Sequence, residues 1–132
     1  MARKGATKPR LQNAPLKGAS RITEVDKFLT DCKLELLPWQ RYVLTDMLKV
    51  DKTGKWRRKT NLLLVARQNG KTHLARTRIL AGLFVFGEMN IVAMSSNRSM
   101  ALDTFRKVME TIEDNPALQA QVKQIQIGRA HV

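Results

Sequence analysis

The chain has 132 residues, 43% of them hydrophobic, enough for one small buried core and too many for a wholly disordered chain. Twenty-four Lys and Arg against eleven Asp and Glu leave a formal charge of +13, a field that favours a polyanion, nucleic acid first, over a basic surface that only aids solubility or a partner for an anionic membrane. Apolar runs stay short of the ~18–20 residues of a membrane span, and the Met1–Arg10 start has no apolar stretch behind its charges, which excludes a secretory signal.

Residues 1–21 hold six basic groups and no acid among Pro, Gly and Ala, the composition of a mobile basic arm. Thr23 is placed to cap a helix over 24–32, with Val25, Phe28 and Leu29 on one face. The single Cys32 forms no internal disulfide and has no Cys or His neighbour at metal-ligand spacing, so it reads as a semi-buried thiol in a reducing compartment. Pro38 suits the first turn of a second helix, where its missing N–H costs nothing; Trp39, Tyr42, Val43, Met47 and Leu48 carry that helix to Lys49. Asp51–Lys55 is a turn. The stretch Trp56-Arg57-Arg58-Lys59 is either a contact for phosphate backbone or a solvated tip.

Next comes TNLLLVARQNGKTHLARTRI, from Thr60 to Ile79. Leu62–Ala66 is a continuous apolar run, the pattern of a parallel strand buried on both faces. A helix pattern starts directly after Gly70-Lys71-Thr72 and runs to Phe86, with Gly87 as its stop. Strand, loop and helix in that order form a phosphate-binding loop, although Val65 stands where the pattern G-x-x-x-x-G-K-[ST] has its first Gly. The plainer alternative is a βα turn whose Lys71 is only solvated. Asn90–Ser95 predicts a second buried strand, and Asn97 or Ser99 caps a helix through Met100, Leu102, Phe105, Val108, Met109 and Ile112. Asp114-Asn115-Pro116 breaks that helix before a polar helical stretch over 117–126. The expected fold is therefore α/β, a P-loop NTPase βαβ core with a parallel sheet and right-handed crossover, incomplete because only two strands are present. The expected organisation is a flexible arm over 1–21, a partial ATPase domain over 22–126 and a non-native tail over 127–132. The tail, Ile127-Gly128-Arg129-Ala130-His131-Val132, equals the in-frame translation of ATCGGAAGAGCACACGTC, a common sequencing adapter.

The chemistry expected at the loop follows from residue type. Backbone N–H groups at a helix start and the positive end of its dipole form an anion site. Gly70 permits close approach, Lys71 charges the β/γ-phosphates of ATP, and the Thr72 hydroxyl ligates Mg²⁺. Arg67 is placed to stabilise the transferring γ-phosphoryl or to form a structural salt bridge, while Gln68 and Asn69 shape the turn. The Gln40 amide can donate to and accept from adenine at once, or lie on the surface of a helix start. His73 reads as helix surface or packing, and Arg76 and Arg78 as a solvated or DNA-facing side. ATP hydrolysis also requires an acid on a neighbouring strand for the Mg²⁺ shell, and the segment NIVAMS has none.

With LLPWQR, LLLVARQNGKT and NIVAMSSNRSMALDTF in this order, residues 24–118 resemble the N-terminal part of a tailed-phage terminase large subunit. The family's phosphate loop departs from the standard form in the same way, with Arg and Gln before Gly-Lys-[ST]. The resemblance implies that Gln40 reads adenine, Arg67 senses γ-phosphate, Gly70 and Lys71 hold phosphate and Thr72 holds Mg²⁺. It implies a parent ATPase and endonuclease that drives double-stranded DNA into a prohead from the host cytoplasm. The implied partners are the small terminase subunit and the portal protein, with a homo-oligomeric ring on the portal and no membrane. The family's acidic strand motif and nuclease have no counterpart in this chain. Two other readings stay open: a nucleic-acid-dependent ATPase such as a superfamily 2 helicase, and a non-enzymatic basic DNA-binding module.

Overall fold

The computed structural model describes residues 6–66 and 70–122. Five helices lie among them: α1 (Ile22–Asp31), α2 (Pro38–Met47), α3 (Lys71–Phe84), α4 (Arg98–Glu113) and α5 (Pro116–Gln119). The chain divides into two units, Met1–Ile91 and Val92–Val132.

In the first unit, α1 buries Ile22, Val25 and Leu29, a 3–4 spacing that lays one stripe against the core. Its N-cap is Arg21, not Thr23; Thr23 is exposed in the first turn, and the Ser20 hydroxyl accepts from Ile22 N–H at 3.3 Å instead. Helix α2 opens at Pro38 as expected and ends at Met47, with Leu48 just beyond it wholly buried. Helix α3 contributes Leu74, Thr77, Leu80 and Ala81. The core joins Val25, Leu29, Leu44, Leu48, Leu74 and Ala81, with Phe28, Trp39, Trp56 and Phe86 packed at its border. Gly87, at φ +64°, turns the chain after α3 so that Glu88 N–H reaches Gly82 C=O at 2.8 Å.

Residues 16–21 run beside the end of α2 and the segment that follows it. Leu16 N–H donates to the Asp46 carboxylate at 2.8 Å, Ser20 Oγ to Thr45 C=O at 2.6 Å, and Val50 N–H to Ala19 C=O at 3.0 Å. Single antiparallel bridges pair Ser20 with Lys49 and Val50 with Trp56. Between the latter two, the Asp51 carboxylate accepts from the Thr53 hydroxyl and from the Thr53 and Lys55 amides. The Thr53 hydroxyl is the main cause holding the Asp51 carboxyl below its ordinary range.

The chain does not form the expected α/β core: no strand and no parallel sheet occur among the described residues. Leu62 and Leu64 are 84% and 85% exposed, and Val92 and Met94 79% and 88%, where a βαβ core requires burial on both faces. Only Leu63 of the first run touches the core. The physical reason is pairing. A parallel strand is stable when hydrogen-bonded neighbours flank it and helices cover both faces, and two candidate strands do not supply those neighbours. Helix α3 instead buries its apolar face in a helical core.

In the second unit, α4 is capped by Asn97, one of the two expected candidates, whose Oδ1 accepts from Met100 N–H at 3.0 Å. The break at Asn115-Pro116 is also present, with Asn115 Nδ2 donating back to Thr111 C=O at 2.7 Å. The helix expected over 117–126 is the short α5, and 123–126 lie outside the described residues. No helix among the described residues is long and apolar enough to cross a membrane.

Leu44→Ala, at a fully buried core position, is expected to cost about 2–5 kcal/mol, read as a lower urea midpoint. For Asp51 the folded carboxyl lies below its ordinary 3.8. Its contribution is complete above that value and is lost as pH falls through the depressed one. Acid titration of the folded chain, followed by circular dichroism, should lose this component in Asp51→Asn.

Candidate functional site

The residues expected to act on nucleotide meet where α2 and α3 begin. Gln40 sits in the first turn of α2 and is 1% exposed. Its Oε1 accepts from Leu37 N–H at 2.7 Å, and its Nε2 donates to Gly70 C=O at 2.9 Å. Because one partner is an N–H and the other a C=O, the orientation of the carboxamide is determined. One N–H and spare acceptor capacity remain on the amide. The side chain predicted to face a base therefore also joins two helix starts.

Gly70 is the N-cap of α3 at φ +91°, a left-handed conformation costly for a residue with a Cβ. A Cβ there would lie 2.5 Å from Gln40 Nε2, with Trp39 Cζ2 at 3.7 Å. Trp39 is half-buried and borders the core, as expected of an anchor. The first intrahelical bond runs from Leu74 N–H to Gly70 C=O at 3.2 Å, so the amides of Lys71, Thr72 and His73 have no acceptor within the helix. Among the described residues no side chain caps this end, and its first turn carries no acid. Lys71 is exposed and Thr72 half-buried.

His73 fastens the same turn from its other side. Its Nε2 lies 2.7 Å from Glu35 C=O, an acceptor only, so Nε2 carries the proton and Nδ1 accepts from Arg76 Nη2 at 2.5 Å. This is the packing role expected for His73, with a directed hydrogen bond added. Arg67, Gln68 and Asn69 lie outside the described residues.

The junction thus brings together Gln40, Gly70, Lys71 and Thr72. It presents backbone donors, a helix dipole and an ammonium without a carboxylate in the turn, which is chemistry for an oxyanion. The Thr72 hydroxyl is the one metal-ligand type it offers. Among the described residues no group of three or more His, Cys, Asp or Glu is placed to hold a metal. A Mg²⁺ that arrives on a triphosphate keeps several waters and needs few protein ligands, so the donor set fits that form.

A second feature escaped sequence reasoning in part. Arg78 leaves α3 to join Lys55, Trp56, Arg58 and Lys59 around one cavity. The signal available was the absence of any carboxylate between Lys52 and Gly87; the helical Arg carried no mark of which neighbours it would meet. No protein-family model, curated protein or solved structure matches this chain.

Gln40→Ala would leave the part-buried Leu37 N–H without its partner and free Gly70 C=O on one side. The expected loss is about 1–3 kcal/mol in urea unfolding. Gly70→Ala should be destabilised at least as much, and combining the two should cost less than the sum, since the alanine removes the side chain that the new Cβ meets.

Proposed function

We propose that this chain binds Mg·ATP at the start of α3 as part of an ATP-driven motor that packages double-stranded DNA, in the manner of the N-terminal part of a terminase large subunit. The observation that carries the reading is the Gln40–Gly70–Lys71 junction. A buried glutamine amide and a glycine in the left-handed region adjoin a helix start that no described side chain caps and whose first residue is a lysine. The reading depends on this junction and not on a sheet.

In this reading ATP supplies the phosphoanhydride whose cleavage drives DNA movement, and Mg²⁺ offsets its charge. The amides of Lys71, Thr72 and His73 would receive phosphate oxygens, and the Lys71 ammonium would sit at the β/γ-phosphates. The Thr72 hydroxyl would ligate Mg²⁺. Gln40 would use its remaining N–H and acceptor capacity on the adenine edge, and Arg67 would stabilise the γ-phosphoryl. The segment NIVAMS carries no carboxylate for the Mg²⁺ shell, so binding is expected without appreciable turnover. In the full motor the portal protein, the small terminase subunit and double-stranded DNA would be the partners. A homo-oligomeric ring in the host cytoplasm would be the working form, with the endonuclease carried elsewhere in the protein.

The test is titration of residues 1–132 with a fluorescent ATP analogue and Mg²⁺. Weak saturable binding is expected, reduced about tenfold or more in Lys71→Ala, the loss of one charge-assisted phosphate contact. Equal binding by both proteins, or none by the unmodified chain, would overturn the assignment.

A further inference from the structure

The cavity beside Trp56 has a volume of about 380 Å³. Lys55, Trp56, Arg58, Lys59, Asn61 and Arg78 form most of its lining, and no lining residue is acidic. Its cations are of two kinds. Arg58 and Arg78 are held from behind: Arg58 Nε pairs with Asp46 at 2.5 Å and its Nη2 donates to Ala14 C=O at 3.0 Å, while Arg78 Nη1 pairs with Glu88 at 2.7 Å. Lys55 and Lys59 are exposed and make no ion pair among the described residues.

Trp56 forms the apolar part of the wall. Its ring meets Phe86 edge-on at 4.9 Å and 75°, and the Arg78 guanidinium lies 5.4 Å from its centroid. The Asp51 turn sets where Lys55 leaves the backbone, through the Asp51 carboxylate and the Asp51 N–H to Lys55 C=O bond at 2.9 Å. Two oriented guanidiniums and two exposed ammoniums thus surround one cavity of nucleotide size. After the Asp46 and Glu88 charges are counted, the four cations leave a surplus of two.

We propose that this cavity is a contact site for the phosphodiester backbone of DNA, independent of base sequence. Closely spaced phosphates match a surplus spread over Lys55 and Lys59, and their binding releases counterions. The carboxylate-paired arginines keep their remaining N–H groups directed, so they can donate to phosphate oxygen without reorganising. An acidic peptide offers carboxylates at lower charge density and without that spacing. The proposal supplies the DNA-facing element of the motor reading and rests on it for the partner alone. The residues involved are separate from the α3 junction.

The experiment is fluorescence anisotropy of a labelled 30-base-pair duplex with the full chain from 50 to 200 mM salt, with ATP-analogue binding measured in parallel. Lys55→Gln/Lys59→Gln replaces exposed side chains and should fold normally by circular dichroism. It should weaken DNA binding about tenfold at 50 mM salt and lower the slope of log K against log salt by about 1.5 to 2. Lys27→Gln/Lys33→Gln removes the same charge from exposed positions outside the cavity and should change affinity less than about threefold, since no phosphate contact is lost. Equal weakening by both pairs, or equal competition by polyglutamate, would overturn the site. So would unchanged binding by the Lys55/Lys59 pair, and that result would leave the motor reading standing. Failure of the unmodified chain to bind DNA while ATP analogue still binds would remove the DNA partner and this site together. Loss of ATP-analogue binding with the DNA results as expected would overturn the motor reading alone.

Discussion

One buried carboxamide ties the starts of α2 and α3 together. Gln40 satisfies a backbone donor of its own helix and a backbone acceptor of the next, and burial at 1% exposure makes both bonds costly to lose. The bond to Gly70 C=O sets which way that peptide faces, and the peptide sets where the free amides of α3 point. His73 fixes the same turn by its bond to Glu35 C=O. The start of α3 is thereby held by neutral hydrogen bonds, and Lys71 makes no ion pair among the described residues.

Charge in this unit follows a similar division. Arg21, Arg41, Arg58 and Arg78 each meet a carboxylate. Such half-exposed pairs contribute little stability in water, yet they orient a planar guanidinium. Arg58 also reaches Ala14 C=O, so the residues before α1 are fastened to the segment that follows α2. Lys55 and Lys59 lie beside these fixed groups with their ammoniums exposed.

Exposed apolar residues give the counterpart. Leu62 and Leu64 stand in solvent because the helical core takes only Leu63 from the first run, and Val92 and Met94 are exposed as well. A run such as Leu62–Ala66 states that a segment can be buried on two faces. It is silent on whether strands exist to bond its edges, and edge bonding makes a sheet.

What the amino-acid sequence determined by itself was local. Pro38 opens α2, Asn97 caps α4, Asn115-Pro116 ends it and Asp51–Lys55 turns, because each depends on backbone geometry and hydrogen bonds within a few residues. The grouping of Gln40 with Gly70-Lys71-Thr72 was legible as chemistry. The tertiary structure alone decided that Gln40 Nε2 meets Gly70 C=O across thirty residues, that Arg78 joins the Trp56 cavity, and that the apolar runs stay unpaired. Those outcomes turn on which surfaces compete for a limited core and on long-range hydrogen-bond partners, and neither is written in the spacing of neighbouring residues.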